Sequence, residues 1–479
     1  MIDRAPPAGR TALVAAGATF ALGLALASPW PDDWDAVGFV RAVTDFDLAR
    51  FQPHPPGYPV YVALARLANT LTHDPVRACG ACSALGLALA VWALARGASS
   101  RAGVACATAL ALASPELMLA ATSARSDALG LGLGALAVGL GAFASHPRDG
   151  ALVGAILALG AGARPSLAVC VATALALGAV RHRARPRVWA AGALAFALVC
   201  AAWLTGLIVA SGGVAALVAQ TRRQAAGHFG DWGGSVLTRP DARERALAIA
   251  RGIFGYGLGL TASFAGALRG FVWAALTAHG ARVDPPRARW IAALVLPYAL
   301  YAAVAQNVFD SPRHLLPVAL ALITLAERGG EDLLARVKRT PVRWSVFAGA
   351  AVLVALPAAE TARVHRTREP PGVLAARYVA TQGAHAQLML FGGRSARVAE
   401  WAGVRALPRT LMGEVDVTLE RLDRLPRVVF VTDEVRGRER GRGTLYPGRR
   451  FCRDARVDHT APCVTVHRYD ILTPRDVGR

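Results

Sequence analysis

The sequence predicts a mainly α, polytopic membrane protein of about eleven transmembrane helices, followed by a small C-terminal extracytoplasmic α/β domain. Three observations carry that expectation. Of 479 residues, 54% are apolar and only 18% charged, with a mean hydropathy of +0.38, so a chain of this length could not cover soluble domains with polar surface. The apolar residues gather in blocks of roughly 15 to 22, enough to cross about 30 Å of hydrocarbon at 1.5 Å per helical residue. Basic residues crowd alternate connections between those blocks, as they do in a chain threaded repeatedly through a bilayer.

The apolar windows fall near residues 11–29, 76–95, 102–121, 127–145, 151–163, 166–180, 188–210, 254–278, 290–305, 314–327 and 344–359. The first has a short positive flank like that of a signal peptide. It lacks a convincing small-residue cleavage site before the polar Trp30–Asp35 stretch and is expected to remain as an anchor. One set of connections holds Arg4, Arg10, Arg96, Arg101, Arg148, the run Arg181, Arg183, Arg185 and Arg187, then Arg282, Arg287 and Arg289, and finally a cluster from Arg328 to Arg343. The short turns of the other set hold Arg125, Arg164 and Arg313. The positive-inside rule therefore predicts a multi-pass protein of the bacterial inner (plasma) membrane, with a cytoplasmic N-terminus and an extracytoplasmic C-terminal domain. On that basis the transmembrane domain is 1–359, with long outer loops 30–75 and 211–253, and the outer domain is 360–479.

The formal charge of +21 is nearly all arginine, Lys338 being the one lysine, a bias that reads as genomic base composition. Nucleic acid is not an expected partner. Cys79, Cys82, Cys106, Cys170 and Cys200 lie in or beside apolar blocks as small packing residues, whereas Cys452 and Cys463 stand in the polar tail, where export would permit a disulfide. In that tail, residues 387–391 and 427–432 read as short buried strands and 395–402 as helix. The Gly392–Ser395 turn between strand and helix lacks the pattern of a phosphate-binding loop. No internal repeat or low-complexity linker is visible.

Carboxylates are scarce, so their placement is informative. Asp32, Asp33, Asp35, Asp45 and Asp47 concentrate in the first outer loop, interleaved with Trp30 and Trp34. Asp35 opens an amphipathic stretch, 34–42, that can hold the acid at the lipid surface. The loop continues into His54-Pro-Pro-Gly-Tyr-Pro59, whose prolines stiffen the backbone and deny it helix until Pro59.

This acid followed by an HPPGYP segment resembles the first extracytoplasmic loop of the GT-C superfamily of membrane glycosyltransferases, in particular its protein O-mannosyltransferase-like and lipid A aminoarabinose transferase-like branches. Three further strings resemble family positions in order: Ser123-Ala-Arg-Ser-Asp127, Ala163-Arg-Pro-Ser166 and Arg313-His-Leu-Leu-Pro317. Charge counting alone assigns all four strings to one membrane face. The resemblance covers about residues 1–330, and the tail matches only as a generic outer domain. It departs at Ala36 and Gly38, where DE or DSGE patterns carry glutamate. No metal site is assigned unless Asp127 or Asp33 substitutes for that carboxylate, and a divalent cation stays open as a cofactor.

The resemblance implies an integral glycosyltransferase, inverting, that moves a sugar from a polyprenyl-phosphate donor to an acceptor hydroxyl on protein, lipid or glycan. A long isoprenoid cannot leave the bilayer, which agrees with an enzyme built of spans. Asp35 is the expected catalytic base, with Asp127 next, because displacement at the anomeric carbon requires removal of the acceptor proton. Arg313 and Arg164 are expected to bind the donor phosphate, guanidinium being permanently charged and able to bind oxygens bidentately. His54, Tyr58 and Asp33 are expected to position substrate, although His54 also suits a purely rigid turn. Arg222, Arg223, His228 and the Gly230–Ser235 segment are read either as solvated loop or as a cover for the acceptor. The principal rival is a transporter or flippase of a lipid-linked or anionic solute, which predicts repeat symmetry and acids near the midplane. A non-catalytic scaffold is the second.

Overall fold

All eleven apolar windows hold helix, but only some of those helices are long and apolar enough to cross a bilayer unaided. The structure, a computed structural model, describes residues 9–231, 233–382, 388–391, 396–403, 405–408, 428–432, 443–457 and 463–471. Among these, five helical stretches meet the length and composition of a span: Gly9–Leu26, Pro75–Arg96, Pro186–Ala210, Pro285–Ala305 and the run starting at Thr340. A sixth arises if Arg101–Leu112 and Pro115–Thr122, bent by 76° at their junction, count as one broken span. The bend sits where Pro115 cannot donate to the preceding turn, and Ser114 there donates instead to the Gly257 carbonyl, 2.6 Å away.

The remaining windows fall short of that test for visible reasons. Asp127–Gly141 and the 3₁₀-then-α run Pro165–Arg181 are shorter apolar helices. Leu316–Arg336 carries Glu327, Arg328, Glu331 and Asp332 in its C-terminal half. The expected 254–278 window is interrupted: a π-helical turn, Arg251–Gly257, ends before the helix Phe264–Val283 begins. The second long outer loop is itself largely helical, as Val214–Gly230 and Ala242–Ala250.

The chain divides into two units: residues 1–28 with 41–366, and residues 29–40 with 367–479. The core of the first is built mostly from small and branched residues, Ala107, Ala120, Leu87, Leu117 and Ile323 among them, together with Trp273. Its helices approach closely because glycines face one another. A Cβ at Gly132 would lie 2.0 Å from the Gly86 carbonyl oxygen, and one at Gly154 would lie 1.9 Å from that of Gly192. Small residues at crossings of this kind let apolar helices gain van der Waals contact where lipid removes the hydrophobic drive between them.

The second unit carries a mixed sheet of β1 (Leu388–Phe391), β2 (Arg405–Pro408), β3 (Val428–Thr432), β4 (Gly443–Leu445), β5 (Arg449–Cys452) and β6 (Cys463–Ile471). Its order is β2-β1-β3-β6-β4, with β5 also paired to β6. β1 runs parallel to β2 and β3, while β6 is antiparallel to its neighbours. Strands thus occupy both tail segments expected to form them, and the helix Ala396–Trp401 lies within the expected 395–402; residues 387, 427 and the Gly392–Ser395 turn lie outside the described residues. Ala375, Val379, Ala399, Phe430, Val464 and Val466 form this unit's core.

Cys452 and Cys463 face each other across β5 and β6 and are joined by a disulfide. Cys452→Ser is expected to destabilise the second unit by about 2–3 kcal/mol, the value for closing a loop of this size. Thermal unfolding of the intact chain with and without reductant reads that loss, and reductant should have no further effect on the variant.

Candidate functional site

A buried polar cluster in the first unit forms where four chain segments meet. The first is the turn 123–126, which delivers Asp127 to the N-terminus of the helix Asp127–Gly141. Ser83 donates to the Arg125 carbonyl at 2.8 Å, Ser123 donates to that of Leu119 at 2.6 Å, and the Arg125 guanidinium donates to Ser123 Oγ at 3.1 Å. The turn is therefore held from within the bundle. His365, with no exposed surface, bonds Thr122 through Nδ1 at 2.8 Å just before it.

The second segment supplies Arg164. Pro165 disfavours helix in the residue before it, and Arg164 accordingly leaves the helix Pro147–Ala163 at φ −143°, ψ 85°. Its guanidinium reaches Asp127 Oδ1 at 2.8 Å and Ser126 Oγ at 3.4 Å, and it lies 5.7 Å from the centre of the Tyr58 ring. A Cβ at residue 130 would lie 2.3 Å from Arg164 Cβ, so Gly130 is what permits the arginine stem to pass. The third segment is the 3₁₀ turn Pro312–Leu315, which places Arg313 Nε 3.9 Å from the same Asp127 oxygen. Two guanidiniums thus converge on one carboxylate, each of the three side chains less than a tenth exposed.

The fourth segment is the proline-rich elbow. Tyr58 sits at φ 50° as the cap of the helix Pro59–Thr72, and its hydroxyl meets His54 Nε2 at 2.6 Å. Peptide bonds Gln52–Pro53 and Pro55–Pro56 are cis. Tyr298, whose hydroxyl donates to the His314 carbonyl at 3.0 Å, joins Asp127, Arg164, Arg313 and Pro317 around a small cleft.

The structure therefore brings together Asp127, Arg164, Arg313, Tyr58 and His54 from strings far apart in sequence. Asp33 and Asp35 belong to the second unit, in and just before the helix Trp34–Thr44, whose part up to Val40 belongs there. Asp33 is the helix cap, its Oδ1 accepting from the Ala36 N–H at 2.8 Å. Asp35 lies in the first turn. Beside them Asp32 pairs with buried Arg453 at 2.7 Å, Arg397 stacks 4.2 Å from the Trp34 ring centre, and Val37 packs with Val373 and Val398. Asp45 and Asp47 both face Arg50, whose hydrogen bonds hold Asp47 below the usual carboxylate range.

Among the described residues no three His, Cys, Asp or Glu side chains converge as a metal site requires. His228 bonds the Ala305 carbonyl at 2.8 Å, while Arg222 and Arg223 are exposed. Sequence reasoning missed Tyr298 and His365. Tyr298 stands in an apolar helix and His365 near the end of a long one, with no motif around either.

No family model and no curated protein sequence matches the chain. Solved structures do match, among them two from different proteins. One is the crystal structure of ArnT from Cupriavidus metallidurans bound to undecaprenyl phosphate, at TM-score 0.54 and 13% identity over 95% of this chain and 97% of that chain. The other is the apo crystal structure of the Archaeoglobus fulgidus oligosaccharyltransferase, at TM-score 0.51 and 13% identity over 89% of this chain and 69% of that one. The chain shares its fold with these two proteins. The five or six stretches among the described residues that are long and apolar enough to cross a bilayer make this a multi-pass membrane protein.

Proposed function

We propose that the protein is an integral membrane glycosyltransferase that moves a sugar from a polyprenyl-phosphate donor to an acceptor hydroxyl on protein, lipid or glycan at the extracytoplasmic face. All eleven apolar windows are proposed to cross the membrane, with the N-terminus inside and the tail outside. The disulfide in the tail supports an oxidising location for it. The observation that carries the activity is the convergence of Arg164 and Arg313 on Asp127 beside a cleft, in a fold shared with a protein crystallised with undecaprenyl phosphate.

On this reading each group has one task. Arg164 and Arg313 bind the donor phosphate and stabilise the charge that grows on it as the glycosidic bond breaks. Asp127 holds the two guanidiniums at fixed separation and orientation. Tyr58 packs against Arg164 and, through its bond to His54, keeps the elbow in register with the cleft. Asp35 takes the proton from the acceptor hydroxyl, and the displacement inverts the anomeric centre. Asp33 keeps Asp35 in the first turn of its helix by capping that helix.

Arg313→Ala tests the phosphate assignment. With purified protein in nanodiscs and a polyprenyl-phosphate sugar, the variant is expected to lose at least about tenfold in kcat/KM, the scale of one charge-assisted contact. Unchanged turnover would remove Arg313 from the donor site. The transporter reading predicts movement of lipid-linked sugar across vesicles without formation of a new glycoside, which the same preparation can register.

A further inference from the structure

A second binding site lies at the other end of the helices that carry the cluster. Along Asp127–Gly141 the helical rise sets Gly141 about 21 Å from Asp127. There a groove opens between Asp127–Gly141, Pro147–Ala163, Ala168–Arg181 and Pro186–Ala210. Its walls are almost wholly apolar, and the sequence makes the space. Pro147–Ala163 and Pro186–Ala210 close on each other backbone to backbone at Gly150, Gly154 and Gly192, while Ala168–Arg181 meets them through Val171, Ala174 and Leu175 and approaches them less closely. Gly178 and Ala174 face this gap, and a Cβ built on Gly178 meets nothing within 4 Å.

The rim has the opposite character. Arg181 and His182 line it, and Arg183, Arg185 and Arg187 follow as exposed residues. The Arg181 guanidinium donates to the Ala142 carbonyl at 2.7 Å, which fixes it over the opening. Trp189 and Trp290 also line the groove, and indoles prefer the level of lipid head groups. The nearby acid Asp149 is engaged, accepting the N–H groups of Ser145 and His146 at 2.9 Å each. An apolar groove opening at a cationic, tryptophan-bordered rim is complementary in charge and polarity to an anionic lipid.

We propose that this groove binds one anionic glycerophospholipid, an acyl chain lying along Leu157, Leu175 and Gly178 and the phosphate held by Arg181 and the arginines after it. The lipid fills the gap that Ala168–Arg181 leaves and braces the helices whose far ends hold Asp127 and Arg164. Because the groove and the cluster share helices but no residues, the site stands apart from the donor assignment above.

The test uses the full chain, purified in detergent and followed by native mass spectrometry with phosphatidylglycerol and with phosphatidylcholine. One phosphatidylglycerol should be retained per chain while phosphatidylcholine is stripped. Gly178→Leu places a side chain in the groove, where a Cβ meets nothing within 4 Å, and should cut retention about tenfold, the worth of about two displaced methylenes. Arg181→Gln, an exposed substitution that leaves the groove open, should cut it about fivefold. Arg313→Ala should retain lipid as the wild type does, so a failed donor assignment and a failed lipid site read differently. Equal retention of the two lipids, wild-type retention in both variants, or displacement of phosphatidylglycerol by a polyprenyl phosphate would each overturn the proposal.

Discussion

Asp35→Asn is expected to abolish sugar transfer, by about 10²–10⁴-fold, while the protein still inserts and folds. The structural reason for expecting intact folding is the division of labour between neighbouring acids. The carboxylate that caps the helix Trp34–Thr44 is Asp33, through the Ala36 N–H, and the acid that anchors the segment to the sheet-bearing unit is Asp32, through Arg453. Asparagine matches Asp35 in shape and keeps a polar group in the first turn. Asp33→Ala should behave differently: loss of a cap costs about 1 kcal/mol and should lower thermal stability together with activity. Turnover assays and unfolding curves on both variants separate the base from the cap. An Asp35→Asn enzyme that turns over normally removes Asp35 from catalysis.

Substitution within the buried ion cluster is expected to have the largest effect on stability. Arg164→Ala leaves Asp127 buried without its 2.8 Å partner, and removing one member of such a pair costs about 3–5 kcal/mol. Asp127→Asn should cost a similar amount by leaving Arg164 without the carboxylate. Joined, Asp127→Asn and Arg164→Gln should lose less than the sum, because the 2.8 Å pair is then removed as a unit, while Arg313 loses its carboxylate once whether Asp127 is replaced alone or with Arg164. A double-mutant cycle on thermal unfolding in one detergent reads the coupling. Additive losses would mean that the two side chains act independently, and the role of Asp127 in orienting the phosphate-binding guanidinium would fall with it.

The membrane class was legible because its signals are local and cumulative. Each apolar window is a contiguous run, and helix formation within such a run follows from backbone hydrogen bonds that lipid cannot replace. The site strings were legible for a similar reason. Pro165 forces Arg164 out of its helix, and the prolines around Tyr58 dictate an elbow, so residue order alone marks those places as specialised. Tyr298 and His365 were invisible because each sits in an ordinary helix, and only its neighbours in space give it a role. The interruption after the π-helical turn Arg251–Gly257 was hidden as well, since hydropathy stays high across the break.

Composition and charge order by themselves determined a chain of apolar helices, a polar tail with two short strands, and which turns carry arginine. Tertiary structure alone decided that Arg164 and Arg313 share one carboxylate, and that residues 29–40 fold with the tail across more than 300 intervening positions. Hydropathy is additive along the chain, so each segment declares its own preference for lipid. An ion pair depends on distances of a few ångströms between segments, and those distances come from packing, here from glycines such as Gly130 whose missing side chain lets a distant arginine through.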